Sequence, residues 1–331
     1  MNTHPVTLRL LALLAVVTVA ACGTSSEDLS GEGDTPAPGA TPAAGNVPGS
    51  TPTDGDGGVP PGTPPPGTPG AITCARDTAF PAVFTIAEAS GAVEVSIGGV
   101  PHLLVNADSK NKGAAILIPI PGGASPQSIV LPFDPATSDD IEGLAAAGGA
   151  VYGLTSAGAV MRFLPSAGGF TRDGAAYRIG PQPLSCSKLT DTNCGKNWEG
   201  LCLRRPPAAG AATPKCLGYA ASKTESALYC VVMQGTTLSI DPTAAPITLA
   251  LPKDSVSDCA FGASALVVTT NDGNGSKSYV VDEKTGALAP LPVTGHGSNE
   301  AVQVGADGAF YQFEDSSSKT SAASRFTCQG L

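Results

Sequence analysis

The strongest constraint on the fold is a short pattern that recurs along the chain at intervals of 42 to 59 residues. It is clearest in "DIEGLAAAGGAVYGL" (140–154) and "NWEGLCL" (197–203), where Glu and Gly stand at the head of an apolar run. Self-similarity on this scale is typical of radial or stacked architectures, in which each repeat is one supersecondary unit. The sequence therefore predicts a repeated fold.

Five acidic residues open comparable units, each with an apolar strand and most with a Gly-rich turn and a second apolar or aromatic strand. They are Glu94, Glu142, Glu199, Asp258 and Glu300. Short β-rich runs fill the units and no useful helical periodicity occurs after residue 74, while "VVTTNDGNGSKSYVV" indicates a hairpin with its turn at residues 271–276. Each unit has room for a four-stranded antiparallel sheet, the size of a propeller blade.

We therefore expect an all-β domain over residues 74–331, folded as a five- or six-bladed β-propeller. The segment 74–86 supplies either an outer strand that closes the ring or part of a sixth blade. A two-sheet sandwich is the alternative fold that the same short strands allow.

An even number of cysteines, eight, falls within the predicted domain. They are Cys74, Cys186, Cys194, Cys202, Cys216, Cys230, Cys259 and Cys328. The set indicates disulfides in an oxidising compartment, and the absence of close C-x-x-C pairs argues against zinc. Because Cys74 and Cys328 bracket the domain, we expect them to pair and to lock the ring. Most of the others fall in the two longest intervals, which predicts disulfide-pinned insertions between the second and fourth blades.

The N-terminal region has the layout of a secretory signal over residues 1–21, with Arg9, an apolar run and small residues before a cysteine. "VAAC" (19–22) resembles the lipobox of bacterial lipoproteins, which implies cleavage, lipidation of Cys22 and attachment to a membrane. Gly23 stands where Asp would signal inner-membrane retention, so the resemblance implies the outer membrane or the cell surface.

Residues 22–73 are rich in Pro, Gly, Thr, Ser and Ala, and we expect them to form a disordered acidic linker. Six of the 28 acidic residues and one of the 18 basic residues precede Cys74, so the predicted domain itself is only mildly acidic. Nucleic acid is therefore not an expected partner.

The stretches "DIEGLAAAGGAVYGLTSAGAVMRF" and "NWEGLCL" resemble the blade openings of the esterase-like phytase group and of related exported propellers. The resemblance implies a propeller over about residues 90–315 and, as a candidate activity, metal-dependent phosphoester hydrolysis. That activity needs bound metal and several cations that hold phosphate oxygens. The cations near predicted loops are Arg162, Arg172, Lys196, Arg204 and Arg205.

If each acid opens the innermost strand of its blade, Glu142, Glu199, Asp258 and Glu300 converge near the mouth of the central channel. Crowded carboxylates repel one another, so they either gain protons or recruit a cation, for which calcium is the natural candidate outside the cytoplasm. The alternative is a local role in each blade, capping turn amides or pairing with a neighbouring Lys or Arg.

Two further patterns have weaker functional interpretations. His296, Ser298 and Glu300 stand close together in "GHGSNE", but consecutive loop residues rarely face one another and no G-x-S-x-G elbow occurs, which argues against a serine hydrolase. Trp198 either stacks on a sugar or lies buried between blades. The favoured function is a binding or scaffold module with a protein or glycan partner, and the alternative is a calcium-dependent phosphoesterase.

Overall fold

The computed structural model describes residues 72–331, except residues 121, 123–124, 206–213, 272–274 and 317. This part of the chain contains 23 strands in five antiparallel sheets and no helix, which confirms the all-β prediction. Consequently, no described segment is a helix long and apolar enough to cross a membrane. The predicted signal sequence, Cys22 and nearly all of the predicted linker lie outside the described residues.

The strands follow the chain from blade to blade. Two strands precede the first blade, β1 (Thr73–Arg76) and β2 (Val83–Phe84). Blade 1 contains β3 (Ala89–Ile97), β4 (Val100–Ala107), β5 (Ala114–Pro119) and β6 (Gln127–Val130). Blade 2 contains β7 (Ile141–Ala147), β8 (Ala150–Thr155), β9 (Ala159–Ser166), β10 (Gly169–Arg172) and β11 (Tyr177–Arg178).

Blade 3 contains β12 (Trp198–Leu203), β13 (Gly218–Ser222), β14 (Ala227–Gln234), β15 (Thr237–Ile240) and β16 (Ile247–Thr248). Blade 4 contains β17 (Val256–Phe261), β18 (Leu266–Thr270), β19 (Lys277–Val281) and β20 (Leu288–Pro290). Blade 5 contains β21 (Asn299–Val304), β22 (Ala309–Glu314) and β23 (Ser321–Gln329). The predicted hairpin at 271–276 joins β18 to β19, where Thr270 pairs with Lys277.

The first strand of each blade lies at the centre of the molecule. These inner strands contact one another in a closed cycle, in the order β3, β7, β12, β17, β21 and back to β3. Each inner strand is also one edge of its sheet, with the remaining strands arranged outward from it. The arrangement is a five-bladed β-propeller, so the sixth blade and the two-sheet sandwich are both excluded.

The ring closes by joining the two ends of the domain in blade 5. Strand β1 pairs antiparallel with β23, and Cys74 stands directly opposite Cys328 in that register. The two cysteines form a disulfide, which confirms the expected pair. The short strand β2 also pairs with β23, so the chain before blade 1 contributes two outer strands to the last blade.

The other three disulfides lie in or beside blade 3. Cys186–Cys194 lies in the segment between β11 and β12, and Cys216–Cys230 lies at blade 3 itself. Cys202–Cys259 joins inner strands β12 and β17 of neighbouring blades. The segment between β11 and β12 is thus a disulfide-pinned insertion of the kind predicted, whereas the other two disulfides tie strands of blades 3 and 4 themselves.

Apolar side chains form cores between successive blades. Alternate residues of a strand point to opposite faces, so each blade packs against both of its neighbours. Trp198 on β12 is fully buried with Leu154 and Val160 of blade 2 and Val231 of its own blade. Its ring meets that of Tyr229 edge to face at 5.3 Å. Trp198 is therefore buried between blades, the second of its two predicted roles, and is no stacking platform for a sugar.

Candidate functional site

Every inner strand carries a β-bulge at or near its second residue. The register of pairing with the following strand shifts there in all five blades. The residues at the shift are Ser90, Glu142, Glu199, Ser257 and Glu300. A bulged residue leaves the regular hydrogen-bond ladder and its side chain is redirected. The starts of the inner strands thus present three carboxylates and two hydroxyls at one end of the channel, which we call the channel mouth.

A glycine follows the bulge in blades 1, 2 and 3 because neighbouring inner strands approach closely at that point. A Cβ on Gly91 would lie 3.1 Å from the Leu144 nitrogen, and one on Gly143 would lie 2.7 Å from the Gly200 carbonyl carbon. A Cβ on Gly200 would lie 2.9 Å from the Cys259 nitrogen. The repeated Glu-Gly therefore combines a bulged acid with a site that has no room for a side chain.

The three bulge glutamates come together although they belong to different blades. Ligand oxygens of Glu142, Glu199 and Glu300 lie within 4.8 Å of one another. Glu142 and Glu199 are buried, with 7% and 3% of their surface exposed. A second group, formed by Asp108, Asp140 and Glu142, has the same spacing, so Glu142 belongs to both.

Each of these carboxylates has a polar partner. The Ser90 hydroxyl donates to Glu142, and the Asn271 amide donates to Glu300 Oε1 at 2.7 Å. Lys223 Nζ donates to Glu199 Oε2 at 2.9 Å and is the one cation hydrogen-bonded to these carboxylates among the described residues. Of these contacts, only the pair of Lys223 and Glu199 lies within one blade, as the local alternative expected, whereas Glu142 and Glu300 bond to residues of neighbouring blades. A single ammonium thus faces several carboxylates.

Two of these partners, Lys223 and Asn271, belong to a second repeated position that the pattern of acids did not reveal. Residues Asp108, Ser156, Lys223, Asn271 and Asp315 each directly follow the second strand of a blade, β4, β8, β13, β18 or β22. Several contact the acids described above, as when the Ser156 hydroxyl donates to Asp140. In the sequence this position can be recognised as the first polar residue after each second strand. A search for acids at strand heads does not include it. We call the carboxylate set Asp108, Asp140, Glu142, Glu199, Glu300 and Asp315 the acidic mouth.

Burial and mutual repulsion raise the pKa values of these acids. Burial raises the pKa of Glu199 to about 8, although Lys223 opposes the shift. Burial, reinforced by neighbouring carboxylates, raises the pKa of Glu142 well above its usual 4.5. For the same reasons the pKa of Asp140 is about 6 and that of Asp315 about 7. Part of the acidic mouth therefore holds protons at neutral pH unless a cation replaces them.

The structure places Asp258 one residue beyond the bulge, at the position that Gly occupies in blades 1 to 3. Ser257 holds the bulge of blade 4, so the alignment of Asp258 with the glutamates is wrong by one residue. Asp258 Oδ1 accepts from the Cys259 N–H at 2.7 Å, and Oδ2 accepts from the Val302 N–H at 2.8 Å. Its carboxylate links inner strands β17 and β21 and lies outside both groups of converging acids.

Glu94 is likewise misplaced by the alignment, because Ser90 holds the bulge of blade 1. Glu94 is the sixth residue of β3 and lies toward the other end of the channel. There it accepts from Arg205 Nη2 at 3.0 Å.

The five cations considered for phosphate binding do not converge. Each forms an ion pair of its own, and they are distributed over two strands of blade 2 and both ends of β12. The pairs are Arg162–Asp173, Arg172–Asp134, Lys196–Glu225, Arg204–Glu283 and Arg205–Glu94. The residues of "GHGSNE" do not form a triad either, since His296 Nε2 contacts the Ser324 hydroxyl at 2.9 Å and Glu300 contacts Asn271.

No family model matches the chain, and no curated protein matches it. Among solved structures, the chain is similar to an oxidoreductase (glucose dehydrogenase) of Thermus thermophilus, with 15% identity, coverage of 77% of this chain and 99% of that one, and a TM-score of 0.46. It is also similar to the glutaminyl cyclase of Myxococcus xanthus, with 14% identity, coverage of 77% and 97%, and a TM-score of 0.46. The PQQ-bound aldose sugar dehydrogenase of Streptomyces coelicolor has 12% identity, coverage of 78% and 99%, and a TM-score of 0.42. Function must therefore be inferred from the chain's own site.

Proposed function

We propose that this protein is a lipid-anchored binding module of the cell envelope whose acidic mouth holds a cation, with calcium as the ion that best suits its ligands. The observation that carries the proposal is the convergence of Glu142, Glu199 and Glu300, whose ligand oxygens lie within 4.8 Å of one another. Calcium takes six to eight oxygen ligands and binds carboxylates readily. A surface protein or glycan would then bind on the propeller face that carries this mouth.

The balance of charge supports a bound cation over phosphate chemistry. Phosphoester hydrolysis needs cations interleaved with the metal-binding acids. In the described part of the chain, Lys223 alone pairs with the bulge glutamates, and the five other candidate cations pair elsewhere. This distribution weighs against the phosphoesterase suggested by the resemblance to the esterase-like phytase group.

The thermal unfolding of the protein in calcium and in chelator tests the cation proposal. A bound ion stabilises the folded state by about 2.7 kcal/mol at a hundredfold excess over its dissociation constant, which raises the unfolding temperature by about 5 to 10 °C. The triple variant E142Q/E199Q/E300Q should lose this shift. It should also be at least as stable as the parent in chelator, because Gln removes the repulsion without removing the bulk of the side chain.

Glu94→Gln is the matched control, since it removes an inner-strand carboxylate at the other end of the channel. This variant should keep the full calcium shift. An equal shift in the triple variant, or no shift in the parent, would contradict the proposal. The repeated acids would then serve only in the hydrogen bonds already described, with Ser90, Lys223 and Asn271.

The envelope location is proposed from the cysteines. Four disulfides are typical of a protein that folds in an oxidising compartment, and Cys22 follows the lipobox-like "VAA". Cys22→Ala should move the protein from the membrane fraction to the soluble fraction, while Ser25→Ala should leave it with the membranes. Retention of Cys22→Ala in the membrane fraction would refute lipid anchoring at this residue.

A further inference from the structure

A cavity of about 360 Å³ lies in the channel, away from the acidic mouth. Its wall comes from the later residues of all five inner strands. Representative residues are Val95, Leu144, Leu203, Phe261 and Gln303. The bulge residues at the strand starts do not contribute to it. The cavity is therefore a separate site, which we call the lower channel cavity.

A second cavity of about 310 Å³ lies beside the first, under the turn between β7 and β8. The two share Glu94, Val95, Ser96, Ala146 and Arg205. The ion pair between Glu94 and Arg205 thus lies on the wall common to both. Together they give a ligand room to place a charged group at this pair and an apolar group deeper in the channel.

The cavity walls are fixed in place by covalent and sheet structure. Cys202 and Cys259 both line the lower channel cavity, and their disulfide joins the inner strands of blades 3 and 4. Protein interiors rarely leave spaces larger than a water molecule, and ligand sites begin at about 300 Å³. The lower channel cavity has this size and is open to solvent, so a small molecule can enter it.

The polar groups at the wall select the charge of that molecule. Glu94 Oε2 already accepts from Arg205 Nη2 at 3.0 Å and from the Ala306 N–H at 2.7 Å. Arg205 also donates from Nη2 to the Val304 carbonyl at 3.0 Å, and its side chain is 38% exposed. A guanidinium has five N–H donors on three nitrogens. Within the described residues the contacts of Arg205 use Nη2, so its Nη1 and Nε hydrogens are the donors that this wall can offer to a ligand.

We propose that the lower channel cavity binds a small organic carboxylate, with the carboxylate on Arg205 and the apolar body against Val95, Leu203 and Phe261. A carboxylate oxygen can accept from the Nη1 or Nε hydrogens of Arg205, because the contacts with Glu94 and Val304 use both hydrogens of Nη2. Because Glu94 already balances the charge of Arg205, a monoanion fits this wall better than a phosphate dianion, which Glu94 would repel.

Binding of benzoate, phenylacetate and hexanoate to the full-length protein, measured by calorimetry and thermal unfolding, tests the proposal. Benzyl alcohol and benzylamine are the controls for shape without negative charge. At least one carboxylate should bind at least tenfold more tightly than both controls. Arg205→Gln should weaken that binding at least tenfold, whereas Arg172→Gln, which removes a similarly exposed paired arginine in blade 2, should leave it unchanged.

Two further variants separate this cavity from the acidic mouth. Ser96 is an exposed residue of the cavity wall. Ser96→Trp places a bulky ring in the cavity and should abolish carboxylate binding. The variant E142Q/E199Q/E300Q should bind the carboxylate as the parent does. The proposal is overturned if none of the three carboxylates binds better than the controls, if Arg205→Gln binds them unchanged, or if benzylamine binds best.

Discussion

The repeated Glu-Gly pair combines two requirements that act on adjacent residues. The bulge turns the side chain of Glu142 toward the channel mouth, and Gly143 then passes the neighbouring inner strand where no Cβ fits. Blade 4 meets the same close approach differently, since the carboxylate of Asp258 accepts from the Val302 N–H of the next inner strand. This position in the repeat is therefore Gly in blades 1 to 3, an Asp that bonds across the gap in blade 4, and the buried Ala301 in blade 5.

Gly143→Ala should destabilise the protein by about 1 to 3 kcal/mol, because the new methyl group meets the backbone of β12, which has little freedom to move. Gly169→Ala, on outer strand β10 with no atom within 4 Å of the new Cβ, should change stability by less than about 0.5 kcal/mol. Urea unfolding measures both. Equal effects of the two substitutions would show that the inner strands are not in tight contact.

At this scale the sequence alone could identify three of the five bulge residues. Glu142, Glu199 and Glu300 are all acids at the head of an apolar strand, and that pattern alone selects these three positions. Ser90 and Ser257 have no such chemistry, so the nearest acids, Glu94 and Asp258, were aligned in their place. A bulge shifts the pairing of a strand by one residue and does not require a particular residue type. A pattern built on residue types therefore cannot locate it.

At the scale of elements, the mouth is built from the start of one strand and the end of the next. In each blade the inner strand begins, and the second strand ends, on the same side of the sheet. Acids on inner strands and polar residues after second strands are therefore brought together by the antiparallel pairing. This geometry places Lys223 against Glu199 within blade 3, and the packing of β18 against β21 then places Asn271 of blade 4 against Glu300 of blade 5.

The buried acids make the stability of the cation-free protein depend on pH. The pKa of Glu199 is raised to about 8 and that of Asp315 to about 7, from ordinary values of 4.5 and 3.8. The folded state therefore binds more protons than the unfolded state between about pH 4 and pH 8. Stability in chelator should fall as pH rises through this window and level off above it.

Thermal unfolding in chelator at pH 5, 6, 7 and 8 measures this dependence, with an expected fall of several degrees. E142Q/E199Q/E300Q should show a smaller slope, because two of its replaced acids have raised pKa values. A flat or rising profile in the parent would mean that these carboxyls ionise as freely when folded as when unfolded.

The strands themselves were largely predictable from short apolar runs and glycine turns. The hairpin of β18 and β19 is an example, since two β-branched runs flank a turn rich in Asn and Gly. The two-residue strands β11 and β16 carry no such signal. They pair with outer strands of their blades only because the tertiary fold brings them there.

At the scale of the whole molecule, closure of the ring was predictable from two cysteines. Cys74 and Cys328 bracket the domain, so a bond between them makes the two ends of the domain neighbours. The sequence alone does not decide between five and six blades, because residues 74–86 are equally compatible with closing strands and with a partial blade. The pairing of β1 and β2 with β23 decides that choice in favour of closure.

Replacing Cys74 and Cys328 with Ser should lower stability by about 3 to 5 kcal/mol, since the bond closes a loop with a sequence separation of 254 residues. Replacing Cys186 and Cys194, which are 8 residues apart, should cost less because a short loop restricts the unfolded chain less. Denaturant unfolding under non-reducing conditions compares the two. An equal loss in the two variants would contradict the dependence on loop length, and no loss in the Cys74 and Cys328 variant would show that the ring is held by β-pairing alone.

The pairing of β1 with β23 also determines when the molecule can be completed. The strand that holds Cys74 is made before all five inner strands, yet its partner β23 belongs to the fifth blade. In the interval, Cys74 coexists with six other cysteines that belong to different pairs. Wrong pairs formed in that interval must be exchanged before the ring closes. We therefore expect the yield of native protein to depend on thiol exchange between these cysteines as well as on the stability of the single blades.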